Sequence, residues 1–146
     1  MALSTFGAIM GFASERFRHT EDFYRSAVDK ARDPVLKEIL QALSNEERKN
    51  FSLMEQTRRE NVTEMVLEPI SGLQQEDYEV DLKSPEQAKD EDLLKMTLII
   101  EEKERKFFDD SSKKIPLPEV SSIFRKIAQK KEKNIIKLQA LGLEQF

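Results

Sequence analysis

Four stretches of this chain repeat residues at alternating spacings of four and three. A chain built that way must bury one stripe of each stretch against its neighbours. The first series is Ala13, Phe17, Thr20, Tyr24, Ala27, Ala31, and the second is Leu36, Leu40, Leu43, Glu47, Asn50, Met54. The third is Thr97, Glu101, Glu104, Phe108, Ser111, Ile115, and the fourth is Val120, Phe124, Ile127, Lys131, Asn134, Leu138, with Leu141 beyond. The four share one anomaly: polar residues interrupt the apolar stripes at corresponding heights.

The punctuation between the stretches marks helix boundaries. Asp33-Pro34 reads as an N-cap followed by proline at the first helical position. Ser84-Pro85-Glu86-Gln87 repeats that device with a capping box. Pro116 and Pro118 separate a third helix from a fourth, and Gly142 stands where a terminal cap is expected. The expected helices are about 4–32, 34–61, 85–113 and 118–141. Residues 62–84, with Pro69, Gly72, Tyr78 and Val80, are too many for a tight turn and read as a crossover along the bundle. The fold class is therefore all-α: a four-helix bundle in one domain, 1–146, with hairpins about 4–61 and 85–141.

Sliding the chain by 84 residues aligns its halves without a gap. Phe23 then meets Phe107, Lys30 meets Lys114, Pro34 meets Pro118, Ile39 meets Ile123, Lys49 meets Lys133 and Asn50 meets Asn134. Leu40, Leu43 and Met54 meet Phe124, Ile127 and Leu138. This pattern predicts two helix hairpins related by a pseudo-twofold axis.

Composition removes several chemistries. The chain has no cysteine, which excludes disulfides, thiolate metal sites and thiol catalysis, and one histidine, His19, which excludes a site needing two imidazoles. A net charge of -4 with mixed charge runs argues against a nucleic-acid partner. No apolar run approaches the length of a membrane span, and the opening residues lack the basic start of a signal peptide. The expected location is cytoplasmic. No phosphate loop and no nucleophile–base pair stands out.

Glu21-Asp22-Phe23-Tyr24, Asp33-Pro34 and Leu43-Ser44-Asn45-Glu46-Glu47-Arg48-Lys49-Asn50 carry a resemblance. So do Glu101, Phe107-Phe108 and Ile127-Ala128-Gln129-Lys130-Lys131-Glu132-Lys133-Asn134. The pattern resembles the rubrerythrin-like branch of the ferritin-like superfamily over about residues 5–141. That resemblance implies a ferritin-like bundle of two repeated hairpins, a homodimer, and a di-iron site of six ligands. Carried over one position at a time, the ligand set is degenerate. Phe17 stands where the first Glu belongs, and Glu47 is kept, but Asn50 replaces a His. Glu101 is kept, whereas Lys131 replaces a Glu and Asn134 a His.

Two readings of this layer follow. In the first, no metal is expected: the ammonium of Lys131 sits between Glu47 and Glu101, and Asn50 and Asn134 complete a core network. Against it stands a Lys131 that snorkels to the bundle edge along its aliphatic stem. In the second, Glu47, Glu101 and Glu104 hold iron or another divalent cation, with Lys131 in the same layer opposing it. His19 and Glu15 point away from the core on helical spacing. Tyr24 reads as a core aromatic with one hydrogen bond. Phe17, Tyr24 and Phe108 are candidate lining residues should the vacated site hold a small apolar ligand. The expected function is that of a non-enzymatic binding or structural protein. The alternative is a rubrerythrin-like protein that oxidises iron or reduces peroxide through an atypical carboxylate site.

Overall fold

In the computed structural model, which describes residues 1–61, 69–83 and 87–145, the first two helices start on side-chain caps. The Thr5 hydroxyl accepts from the Ala8 N–H at 3.0 Å and opens α1, Phe6–Lys30. The Asp33 carboxylate accepts from the Leu36 N–H at 2.9 Å and opens α2, Pro34–Glu60, with Pro34 in the first turn. Two further helices follow, α3 (Asp90–Ser112) and α4 (Pro118–Gln145). No strand forms among the described residues; Ala2 and Gln74 make an isolated antiparallel bridge. None of the described helices is long and apolar enough to cross a membrane.

Three boundaries differ from expectation, each for a local reason. Helix α1 begins at Phe6 rather than at residue 4 because the backbone before it is engaged elsewhere. The Leu3 N–H donates to the Leu73 carbonyl at 2.9 Å, and the Ser4 carbonyl accepts from the Ile70 N–H at 2.7 Å. Helix α3 begins at Asp90 rather than at 85. The Asp90 carboxylate accepts from the N–H groups of Arg32 (2.9 Å) and Asp33 (2.7 Å), which pins this helix start to the α1–α2 turn. Asp90, Glu91 and Asp92 then face the positive end of the helix dipole. The Ser84-Pro85 cap lies outside the described residues. Helix α4 runs through Gly142 instead of ending there. A Cβ at Gly142 would lie 3.3 Å from Leu94 Cδ2, so this glycine serves close packing of α4 on α3.

Helix α1 packs along α2, and α3 along α4. Surface ion pairs mark both seams, Arg48–Glu21 at 2.8 Å and Arg105–Glu132 at 3.3 Å. The described part of the crossover runs from the start of α1, where Ile70 and Leu73 bond to residues 3 and 4, toward the start of α3. There Val80 and Leu82 pack with the cluster that contains Leu93 and Ala31. Gly72 turns this segment at φ 92°, a conformation that favours glycine. A short 3-10 helix, Gln75–Tyr78, anchors it. The Tyr78 hydroxyl donates to Asp110 at 2.8 Å, its ring meets Phe107 edge-on, and its carbonyl accepts from the Arg16 guanidinium.

The core divides into two apolar clusters. One gathers Phe17, Met54, Phe108, Phe124 and Ile127; the other gathers Tyr24, Leu40, Leu43, Ile100 and Leu138. Each large buried side chain contributes roughly 1.5–3 kcal/mol of transfer free energy. Along every helix the sequence steps from one cluster to the other through buried polar positions: Thr20 on α1, Glu47 on α2, Glu101 and Glu104 on α3, Lys131 and Asn134 on α4. The interrupted stripes therefore become one polar layer across the bundle.

Candidate functional site

The polar layer is built around an ammonium. Lys131 is fully buried, with 0% exposure, so its side chain does not reach solvent by snorkelling. Its Nζ is in direct contact with Glu47 Oε1. It donates to Glu101 Oε2 at 3.0 Å and Oε1 at 3.3 Å, and it lies 3.4 Å from Glu104 Oε1 and 3.7 Å from Glu46 Oε1. The Phe17 ring centroid is 6.0 Å from the same nitrogen, and its face offers the cation a favourable quadrupole.

Glu101 is the best-satisfied acid of the group. Besides Lys131, it accepts from the Tyr24 hydroxyl at 2.8 Å and from Asn134 Nδ2 at 2.9 Å. Asn134 Nδ2 also donates to Glu46 Oε1 at 2.9 Å, tying the half-buried Glu46 to the core. Glu47 Oε2 and both carboxylate oxygens of Glu104 are buried without a hydrogen-bond partner among the described residues.

Charge counting decides the chemistry. Three fully buried carboxylates face one buried ammonium, so ionising all three leaves two uncompensated negative charges in the core (three minus one). Burial pushes the Glu47 carboxyl well above its usual range, and the neighbouring Glu104 charge adds to the push more than Lys131 relieves it. Burial raises Glu104 as well, partly offset by Lys131. The layer thus retains a proton on the Glu47–Glu104 pair where free carboxyls would be ionised. Burial alone would discharge Lys131. The surrounding acids, Glu101 foremost, outweigh burial and hold the lysine well above its ordinary range. Burial raises the Tyr24 hydroxyl far up, and the nearby Glu101 charge adds to this, so it stays a neutral donor.

Several expected residues fall elsewhere. Asn50 is half-buried against Leu53, Ile123 and Ile127, and no hydrogen bond joins it to the layer among the described residues. Among the described residues Asn134 is the amide that bonds within the layer. Glu104, considered only as a metal ligand, stands beside the ammonium, and Glu46 was not anticipated. Spacing held a signal for both: Glu104 follows Glu101 by one turn in the same stripe, and Glu46 neighbours Glu47. His19 and Glu15 are exposed. The candidate pocket residues fill one another's space. Phe17 stacks on Phe108 at 5.0 Å and 12°, and Phe108 meets Phe124 edge-on at 4.9 Å.

The donor set bears on metal as well. Glu47, Glu101 and Glu104 can each offer an oxygen such that all lie within 4.8 Å of one another, the hard-oxygen chemistry of a single divalent cation. A pair of irons does not fit. The layer contains no imidazole, and the Lys131 ammonium stands within 3.4 Å of all three acids, where it repels a dication.

The chain matches no protein-family profile, no curated protein and no solved structure.

Proposed function

We propose that this chain is a non-enzymatic ferritin-like protein, a binding or structural module working as a cytoplasmic homodimer. In it the Lys131 ammonium occupies the role that metal cations hold in the rubrerythrin-like branch. The supporting observation is the position of Lys131 Nζ, fully buried and in reach of Glu47, Glu101 and Glu104. A tethered cation cannot dissociate, exchange or change valence, so a layer of this kind offers no redox step. Its role is to neutralise buried acids and fix the helices. The homodimer follows from the family resemblance and is checked by sedimentation.

The deciding experiment is metal analysis of protein purified without chelator, followed by reconstitution with Fe²⁺. The expected result is no stoichiometric metal and no iron oxidation or peroxide reduction above background. Two irons per chain with an oxo-bridge absorption band would overturn the reading.

One observation favours a second reading, an atypical carboxylate site for one divalent cation. It is the convergence of oxygens from Glu47, Glu101 and Glu104, with Glu47 Oε2 and both Glu104 oxygens lacking hydrogen-bond partners among the described residues. One Mn²⁺ or Fe²⁺ bound per chain, and lost in Glu104→Gln, would support it.

A further inference from the structure

Outside the buried layer, α2 and α4 leave an open groove of about 210 Å³ on the bundle surface, lined by Asn50, Leu53, Ile123, Lys126, Ile127 and Lys130. Its floor is apolar. Leu53 and Ile123 are only half-buried there, so the chain itself does not finish covering them.

The groove's edge is cationic. Lys126, Lys130, Lys133 and Lys137 follow at i, i+4, i+7 and i+11, which places them on one face of α4, and all four are exposed. Lys49, one turn before Leu53 on α2, adds a fifth exposed ammonium on the facing helix. No carboxylate pairs with any of the five among the described residues. The nearest acids in sequence are committed elsewhere: Glu132 to Arg105 at 3.3 Å, Glu47 to Lys131, and Glu46 to Asn134 at 2.9 Å. A chain of net charge -4 thus carries a local surplus of unpaired positive charge beside an apolar cleft.

We propose that this α2–α4 groove docks an amphipathic helix from an acidic partner protein. Apolar side chains of that helix enter between Leu53, Ile123 and Ile127, and its flanking carboxylates meet the lysine row. The combination selects this occupant. A concave apolar floor takes a ridge of side chains, the helix-in-groove mode, whereas a flat bilayer cannot enter it. The groove offers no aromatic ring and no arginine for nucleobase stacking. Charge complementarity along the rim steers the encounter and sets orientation. The groove and the buried layer are separate places, so a metal-bound core would leave this docking unchanged.

The test uses the full chain and a fluorescein-labelled peptide of about 16 residues, with leucines at helical spacing and glutamates on the flanks. A scrambled peptide of the same composition is the control. Fluorescence anisotropy is expected to show binding that weakens about tenfold for the scrambled peptide and about tenfold in Lys126→Glu/Lys130→Glu. Leu53→Ala is expected to weaken it severalfold at constant salt slope. Circular dichroism verifies that each variant is folded, and Lys126→Gln/Lys130→Gln replaces the reversed-charge pair if it is not. Equal binding of both peptides would overturn the proposal by reducing it to unspecific charge attraction. Equal binding by wild type and variants would also overturn it. So would tighter variant-sensitive binding to duplex DNA or to phosphatidylserine vesicles, or a dimer that dissociates in the double variant.

Discussion

Glu47 and Lys131 stand 84 positions apart, the same offset that aligns the two halves of the chain, and their carboxylate and ammonium touch in the core. Positions matched by that offset thus carry opposite charge and meet. Burying either one without the other would be costly, because an unpaired charge in a water-excluded core has nothing to replace its hydration.

Replacing Lys131 by methionine, which keeps the volume and removes the charge, is therefore expected to destabilise the protein by about 3–5 kcal/mol at neutral pH. Urea unfolding in the presence of chelator measures this. Acidification narrows the gap, because protonated acids no longer need the ammonium. Equal midpoints at neutral pH would refute the role given to Lys131.

The raised Glu47 and Glu104 carboxyls fix a sign for pH dependence. Their folded pKa values lie above the ordinary carboxyl value of about 4.5, so the folded state holds protons that the unfolded chain has released. Stability is then greatest, for these two groups, below about pH 4.5, and falls as pH rises through their folded values. Lys131, raised above 10.5, contributes stability that is fully present below about pH 10.5 and is lost as pH rises from there through its folded value. Glu104→Gln is expected to flatten the decline above about pH 4.5 in unfolding curves recorded at fixed salt. An unchanged slope would contradict the shared-proton description.

Both tyrosines of the chain are buried donors to carboxylates, Tyr24 to Glu101 and Tyr78 to Asp110. Burial raises both, and the carboxylate each one faces raises it further. An alkaline absorbance titration is expected to show no phenolate near pH 10 while the helices persist, and to show both at once on unfolding. Tyr24→Phe leaves Glu101 one donor short and should cost about 1–3 kcal/mol.

The two asparagines at repeat-equivalent positions, Asn50 and Asn134, are expected to behave differently. Asn134→Ala strips hydrogen bonds from Glu46 and Glu101 and should cost about 1–3 kcal/mol. Asn50→Ala touches only the groove edge and should stay within about 0.5 kcal/mol. Parallel thermal melts of the two variants distinguish these outcomes.

Four helices and a polar layer were legible in the sequence because both are consequences of periodicity. Caps at Asp33 and prolines at 34 and 118 marked starts that rest on local chemistry. The start of α3 was not legible, since Asp90 is fixed by backbone groups of Arg32 and Asp33, nearly 60 positions away. Gly142 was misread for a similar reason: its smallness answers to Leu94 on another helix, not to the chain end. In the layer itself, stripe positions identified Glu47, Glu101 and Lys131. Spacing does not say which amide bonds within the layer: Asn134 donates to Glu46 and Glu101, whereas Asn50 has no hydrogen bond to the layer among the described residues.

The opposite charges of Glu47 and Lys131 also carry information about which halves can associate. Were the hairpins related by the twofold that the 84-residue offset predicts, two copies of the first half would bring Glu47 against Glu47, and two copies of the second would bring Lys131 against Lys131. Either homotypic pairing buries like charges, while the mixed pairing neutralises them. In that arrangement the layer would encode heterotypic recognition inside one chain, discriminating against assemblies in which either half substitutes for the other.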